Sequence, residues 1–350
     1  MTALSILVIS RTASLLSNFL QSIPSGLDGF PGDVEVMCSW NGTEEEEKKV
    51  QCPQSIALYF AQRVPYHFAS NMNGLAQRAC GKLLLITNDD LIFGNGSIKH
   101  AIDALEEGQG VGIVGAKLIS THNQINHAGI LFDHDHKPFH RYLNADPHYH
   151  LAEKTETVPA TTGAFMLTRA SDYYRNPFQE SYIENGEDIH LCLEYRTRLG
   201  LKTIYASKSV CTHDERTTRG YQQGDSGFGN DNSEDLSRMR KCRQNYLKVL
   251  TEEEVRNELE LASKEGCFCR GQIEQLNHDL SLDSSSLDSS SLEDELQAAN
   301  TASDKLKIML ATAAIERQRT EGELDIAKAE IKKLQAELNI QGWLRNSKIG

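Results

Sequence analysis

Three short stretches hold the side chains with chemical reach. The first is Asn88-Asp89-Asp90, which ends the apolar run "KLLLIT" and precedes glycine-rich turn residues. Two adjacent carboxylates at the mouth of an apolar strand are costly unless a cation meets them, because burial disfavours the charged form. Mg2+ and Mn2+ favour oxygen ligands and bridge to substrate phosphates, so a nucleotide–metal site requires an acidic pair of this kind. The same Asn-Asp-Asp is also good turn and N-cap chemistry. The second stretch is Glu187-Asp188, ahead of a helical face of Ile189, Cys192, Leu193 and Arg196. A carboxylate in a first helical turn is kept ionised by the helix dipole and can accept a proton, although ordinary capping explains it too. The third is His213, after the strand candidate "KTIYA", with Arg219 following. An imidazole there can ligate a metal and Arg219 can reach a diphosphate; a plain loop histidine has the same local sequence.

These groups need a frame, and residues 1–220 alternate strand and helix signals. "LSILVIS" is a continuous apolar strand, and Leu15, Leu16, Phe19, Leu20 and Ile23 then share one helical face. "DVEVMCS" alternates with period two through Val34, Val36 and Cys38. "SIALYF" and "KLLLIT" follow as strands, with the helix-compatible "NMNGLAQRAC" between them. A helix from about Ser97 carries Ile98, Ala101, Ile102 and Leu105, and "VGIVGAKL" returns as a strand. The alternation predicts an α/β fold: a mostly parallel sheet with helices on both faces. Ligands of such sheets bind beyond the carboxyl ends of the strands, where Asp89 and Asp90 fall.

Beyond residue 220 the texture changes. Residues 221–300 read as a polar helical and low-complexity linker, with a capping box at Thr251 and Glu254. Residues 301–345 read as a helix whose heptad seam fits Leu310, Leu324, Ile331 and Leu338, with Arg317 and Thr320 spoiling one heptad. Such a seam suits a coiled coil that joins copies or partners, a single helix packed on the domain, or a solvated charged helix.

The net charge of −13 and the lack of a basic block argue against nucleic acid as a partner. No apolar run is long enough to span a bilayer. The eight cysteines form neither a disulfide framework nor a paired CxxC zinc site, so the reading is a cytoplasmic chain, at most peripheral to a membrane. Seven histidines crowd between His122 and His150, and "DHDH" (His134, His136) is a weaker candidate for a softer metal.

The order of the motifs resembles a family 2 glycosyltransferase of the rhamnosyltransferase and O-antigen type, over residues 4–220. "SILVISRTASLLSNFLQSI" is similar to that family's opening strand and helix, and "VEVMCSWNGT" to its second strand and turn. "FASNMNGLAQRACGKLLLITNDDLIF" is similar to the run ending in its DxD motif. "VGIVGAKLI", "INHAGILFD" and "PFHRY" match the sheet extension, and "VPATTGAFMLTR" the strand on the sugar side. "ENGEDIHLCLEYRTRLG" is similar to the ED motif with its helix, and "CTHDERTTRG" to the closing His-x-x-x-Ser-Arg segment. Each motif is loose; the order is specific.

The resemblance implies a GT-A fold and inverting, metal-dependent transfer of a hexosyl or deoxyhexosyl group from a nucleotide-diphosphate sugar. The acceptor would be a hydroxyl on a glycan or lipid-linked glycan. It implies that Asp90 and His213 hold Mn2+ or Mg2+, with Asp188 as general base and Glu187 orienting it or the acceptor. Ser10, Arg11 and Asn41 would line the nucleotide pocket, with Asn88 or Asp89 at the ribose and Arg219 over the diphosphate. Thr162, Gly163 and Ala164 would floor the donor sugar. His127 and His140 fall within motifs of the resemblance. Three departures stand out: Asn88 replaces the first acid of DxD, Trp40 replaces an acid near the base, and His190 and Glu194 replace Asp and Arg. Two rival readings share parts of this pattern. A nucleotidyltransferase needs a basic, glycine-rich loop that "SRTASLLSN" lacks; a non-catalytic nucleotide-sugar or carbohydrate-binding module with a partner-recruiting coil would tolerate the missing acids.

Overall fold

The computed structural model describes residues 2–133, 135–213 and 233–282. The elements begin with β1 (Leu4–Ser10), α1 (Ala13–Leu27), β2 (Val34–Trp40), α2 (Glu44–Glu47), β3 (Ala57–Gln62) and α3 (Phe68–Ala76). Next come β4 (Leu83–Asn88), β5 (Leu91–Phe93), α4 (Ser97–Glu107), β6 (Val111–Ile119), β7 (Ile125–His127), β8 (Ile130–Phe132) and β9 (Pro138–His140). Then follow β10 (Glu156–Val158), β11 (Phe165–Arg169), α5 (Ala170–Arg175), α6 (Glu187–Glu194), β12 (Lys202–His213), α7 (Ser233–Leu247) and α8 (Glu252–Leu282).

The main sheet runs β10-β12-β6-β11-β4-β1-β2-β3, with β5 on β12 and β7 on β6. Pairing is parallel along β3-β2-β1-β4 and between β6 and β12, whereas β11 is antiparallel to both β4 and β6. Two reversals cancel, so β6 and β12 point the same way as β4. Only β11 and β10 oppose the common direction along this path.

Helices cover both faces, which is why the strands are continuous apolar runs. In β1, Leu4, Ile6 and Val8 face a core shared with Leu16, Phe19, Leu20 and Ile23 of α1 and Ile98, Ala101, Ile102 and Leu105 of α4. Leu7 and Ile9 face the other core, with Ala69, Met72 and Leu75 of α3 and Ile189, Leu191, Cys192 and Leu193 of α6. Here β2 differs from the alternation in its sequence. Met37 packs into the second core, and Glu35 and Ser39 are buried too. The polar member is accommodated because the Glu35 carboxylate accepts from Ser5 Oγ at 2.5 Å and from the Cys80 amide at 2.7 Å. The helix expected over "NMNGLAQRAC" starts earlier, at Phe68, where the His67 ring accepts from the Ser70 amide and caps it.

The first compact unit spans Met1–Phe268, past residue 220. Met239, Cys242 and Tyr246 of α7 join the second core. Arg196 Nε reaches Glu254 at 2.7 Å, and the Arg243 guanidinium pairs with Glu258. The capping box of α8 forms, with Thr251 N donating to Glu254 Oε2 (2.8 Å) and Glu254 N donating to Thr251 Oγ1 (3.3 Å). Of the second unit only the end of α8 is described; the heptad seam and most of the low-complexity stretch lie outside the described residues. Among the described residues, no helix is long and apolar enough to cross a membrane. Among the described residues no two cysteines are joined in a disulfide.

Candidate active site

One edge of the sheet collects the chemical groups. The common strand direction puts the ends of β1 (Ser10), β2 (Trp40), β4 (Asn88) and β12 (His213) there. Because β11 runs backwards, its start lies at the same edge, and Thr162-Gly163-Ala164 leads into it. The Asn88 amide donates to the Ala164 carbonyl at 3.3 Å, which ties the two segments together.

Asp90 and His213, far apart in the chain, meet here. In the β5–β12 pairing Leu91 sits opposite His213, which puts the preceding Asp90 beside the ring, and His213 Nε2 lies 3.2 Å from Asp90 Oδ1. Both residues are buried. Asp89 is buried as well, accepting from Ser10 Oγ at 2.6 Å. Burial pushes its carboxyl up to about 6; the Ser10 hydrogen bond opposes this, and the neighbouring Asp90 charge adds to it. The donor chemistry fits a hard or borderline divalent cation: carboxylate oxygen and imidazole nitrogen at one strand mouth, with a second carboxylate adjacent. Among the described residues no three His, Cys, Asp or Glu side chains are grouped to hold a metal ion on their own. Asp90 and His213 are thus the residues that would hold such an ion.

Beside Asp89 opens a pocket of about 510 Å³. Ser10, Arg11, Asn41 and Asp89 line it; Asn88, half-buried at the end of β4, does not. The pocket floor depends on a close approach: a Cβ on Gly42 would come within 2.4 Å of the Arg11 carbonyl and 2.7 Å of the Trp40 ring, so only glycine lets the two loops meet. The Asn41 side chain donates through Nδ2 to the Val64 carbonyl, fixing the opposite wall. That wall, Arg63, Val64, Pro65 and Tyr66, was missed by sequence reasoning. It lies between β3 and α3 with no periodicity to mark it, and the Arg-x-Pro-Tyr spelling is the only signal.

Asp188, in the first turn of α6, meets the loop of residues 162–164. Its Oδ2 accepts from the Gly163 amide at 2.7 Å, and it is half-buried while Glu187 is buried. A helix of eight residues is too short to hold itself, so α6 is placed by the burial of Ile189, Leu191, Cys192 and Leu193. Each such burial stabilises by about 1.5–3 kcal/mol for the larger aliphatics. Gly186, just before Glu187, has φ of +102°, a left-handed conformation that disfavours any side chain. The chain leading into it is clamped by α7: the buried Asp235 accepts from the Ile183 amide (3.0 Å), the Glu184 amide (2.9 Å) and Arg238 Nη1 (3.0 Å). Arg219 lies outside the described residues, as does His134 of the "DHDH" segment.

Among solved structures the chain is similar to GalNAc-T7 with UDP, GalNAc and Mn2+, with a TM-score of 0.50 at 12% identity over 69% of this chain and 48% of that one. This chain therefore matches about half the length of that protein. The mannosyltransferase PcManGT from Pyrobaculum calidifontis, in complex with GDP-Man and Mn2+, gives 0.47 at 14% identity over 89% and 86% of the two chains. TarS 1–349 of S. aureus with UDP-GlcNAc gives 0.46 at 14% identity over 74% and 70%. These neighbours are GT-A glycosyltransferases. The fold is GT-A. No family model and no curated protein matches the chain. In this GT-A sheet the ends of β1, β2, β4 and β12, together with the start of the reversed β11, form the candidate site.

Proposed function

We propose that the chain is a divalent-metal-dependent, inverting glycosyltransferase. It would move a sugar from a nucleotide-diphosphate donor to a hydroxyl of a glycan or lipid-linked acceptor. The observation that supports this reading is a run of contacts at the strand ends, next to a pocket of about 510 Å³: Asp90 lies beside His213, and the donor loop (residues 162–164) bonds to Asn88 through Ala164 and to Asp188 through Gly163. Asp90 and His213 are the residues that would hold Mn2+ or Mg2+, which when bound would supply positive charge for the diphosphate leaving group. The motif order further supports a role in polysaccharide building.

The protein groups divide the work. Ser10, Arg11 and Asn41, with the wall from Arg63 to Tyr66, hold the nucleoside, and Asp89 faces its ribose while locked by Ser10. Thr162, Gly163 and Ala164 lie against the sugar, where glycine permits close backbone approach. Asp188 accepts the proton of the acceptor hydroxyl, and Glu187 orients it. As that proton leaves, the acceptor oxygen bonds to the anomeric carbon and the bond from that carbon to the diphosphate oxygen breaks. Configuration inverts in this single displacement, and no covalent intermediate with the protein is needed. The Gly163 amide donates to one oxygen of this base and the Ile189 amide to the other, each at 2.7 Å, and together they fix the orientation of the carboxylate.

The test is nucleotide release from a panel of UDP-, GDP- and dTDP-sugars with Mn2+, comparing the wild type with Asp90→Asn. Release from at least one donor by the wild type, lost in the variant, supports the reading. Donor binding without turnover on any donor, with or without glycan acceptors, would replace it with the binding-module reading.

A further inference from the structure

Buried behind the donor loop is a polar chain that none of the roles above uses. The Gly129 amide donates to His127 Nε2 at 3.2 Å, so that nitrogen carries no proton. Thr161 Oγ1, 3.0 Å from the same nitrogen, must therefore donate as well. The ring proton then sits on Nδ1, which donates to His140 Nδ1 at 2.9 Å. Geometry thus fixes His127 as one neutral tautomer, since an imidazolium would point an N–H at the Gly129 N–H. Burial also drives the His127 proton affinity well below that of a free imidazole.

The chain links both halves of the site. Thr161 precedes the loop whose Gly163 amide holds Asp188, and its own carbonyl accepts from Cys192 Sγ of α6 at 3.9 Å. Its hydroxyl fills the place of a missing side chain on β6, because a Cβ on Gly115 would lie 1.9 Å from Thr161 Oγ1. On the same short strand as His127, Asn126 Nδ2 donates to the carbonyl of His213 at 3.4 Å. Strand β7 therefore touches the His213 backbone with one residue and Thr161, just before the donor loop, with the next.

We infer that His127 is a positioning residue for transfer: through Thr161 it sets the donor loop, and with it Asp188, relative to the strand end that carries His213. This rests on the transferase reading. The inference is specific about which ring nitrogen matters. A glutamine places its carbonyl oxygen near the position of Nε2 and keeps the acceptor for Gly129 and Thr161. An asparagine places its NH2 near Nδ1, keeps the bond to His140, and loses Thr161.

The experiment compares His127→Gln, His127→Asn, Thr161→Val and the His127→Asn/Thr161→Val double variant, in the full chain with Mn2+ and the donor that the wild type turns over best. His127→Asn and Thr161→Val should each lower kcat about ten-fold with donor KM moved less than about three-fold, and His127→Gln should stay within about three-fold of wild type. The double variant should be no slower than either single one, because one link cannot be cut twice. Additive losses, or equal loss in Gln and Asn, would overturn the inference, as would a loss confined to KM. Should the histidine variants fail to fold, Thr161→Val and Thr161→Ser decide: serine retains the hydroxyl and should rescue kcat. A 1H–15N spectrum of the wild type should show one buried Nδ1–H tautomer unchanged between about pH 5.5 and 8, and an Nε2–H tautomer would overturn the assignment directly. If the wild type turns over no donor while that tautomer is present, the transferase reading has failed and the kinetic role falls with it; active wild type with indifferent variants removes this inference alone.

Discussion

Two acidic sites share one edge of the sheet, and they are satisfied in different ways. At the β4 end, Asp89 and Asp90 are both buried side by side, with a serine hydroxyl on one and an imidazole beside the other. At the start of α6, Asp188 is half-buried and accepts from the Gly163 amide in the first turn of a helix. Backbone amides and a helix N-terminus stabilise a carboxylate from within the fold. A paired buried carboxylate has a charge that the fold compensates less, as the raised Asp89 carboxyl shows. Under the proposed function the first site would receive a cation with its substrate and the second would take a proton.

The sharpest way to break this contrast is to neutralise each side. Asp90→Asn should lower turnover about 10³-fold and abolish the rise in Tm produced by Mn2+. Asp188→Asn should lower kcat about 10²- to 10⁴-fold yet leave that Mn2+-dependent rise intact. Thermal melts with and without Mn2+, run beside the transfer assay, separate the two. Equal Mn2+ responses in both variants would mean that the sites do not differ in the way described.

A buried carboxylate that neither site uses serves as a control. Glu265 of α8 accepts from the Tyr142 amide at 3.1 Å, and burial pushes its carboxyl up from 4.5 to about 7. Its folded pKa lies above its unfolded one, so the folded protein holds the proton more tightly. The stabilisation is full below the unfolded value and is lost as pH rises through the folded one. Glu265→Gln should therefore be more stable than wild type by up to about 3 kcal/mol near pH 8.5 and equal to it near pH 4, in urea denaturation. Mn2+ should not change that difference. A Mn2+-dependent difference would mean that cation demand is not confined to the β4 end.

How far the two sites can be read from sequence follows from the same physics. β1 and β4 are legible because both faces are covered, which demands unbroken apolar runs, and α1 and α4 because one face is buried. The acids are legible as residue types. That Asp90 touches His213 is not, since it depends on the register of β5 against β12, and three-residue strands carry little pattern. β2 looks half-exposed because Glu35 interrupts it, and only the distant Ser5 and Cys80 make its burial tolerable. The docking of α7 is hidden by charge: Met239, Cys242 and Tyr246 keep helical spacing but are diluted by polar neighbours. Asp235 is the least legible of all, because its partners are backbone amides some fifty residues away.

That hidden contact sharpens the comparison further. If Asp188 is prepared by the fold, then loosening what holds its segment should impair chemistry without touching the cation side. Asp235→Asn keeps one acceptor oxygen but loses the charge that holds Arg238 and two amides. Stability should fall by about 1–2 kcal/mol and kcat about ten-fold, with the Mn2+-induced shift in Tm preserved. A change in the Mn2+ response, with kcat intact, would place Asp235 on the wrong side of the contrast.

The smallest effect is expected at Gly186. Its φ of +102° turns the chain into α6 so that Glu187 and Asp188 enter at the first turn. A Cβ there would also lie 3.0 Å from the Tyr182 ring, tight but against the edge of one side chain. Gly186→Ala should therefore cost about 1–2 kcal/mol from backbone conformation. Most of that strain would be relieved by tilting the start of α6, which moves Asp188 relative to Gly163 while the β4 end stays in place. Transfer should weaken with nucleotide affinity and Mn2+ response unchanged, read by kcat against KM in the same assay. Equal loss of nucleotide affinity would show the two sites to be mechanically one.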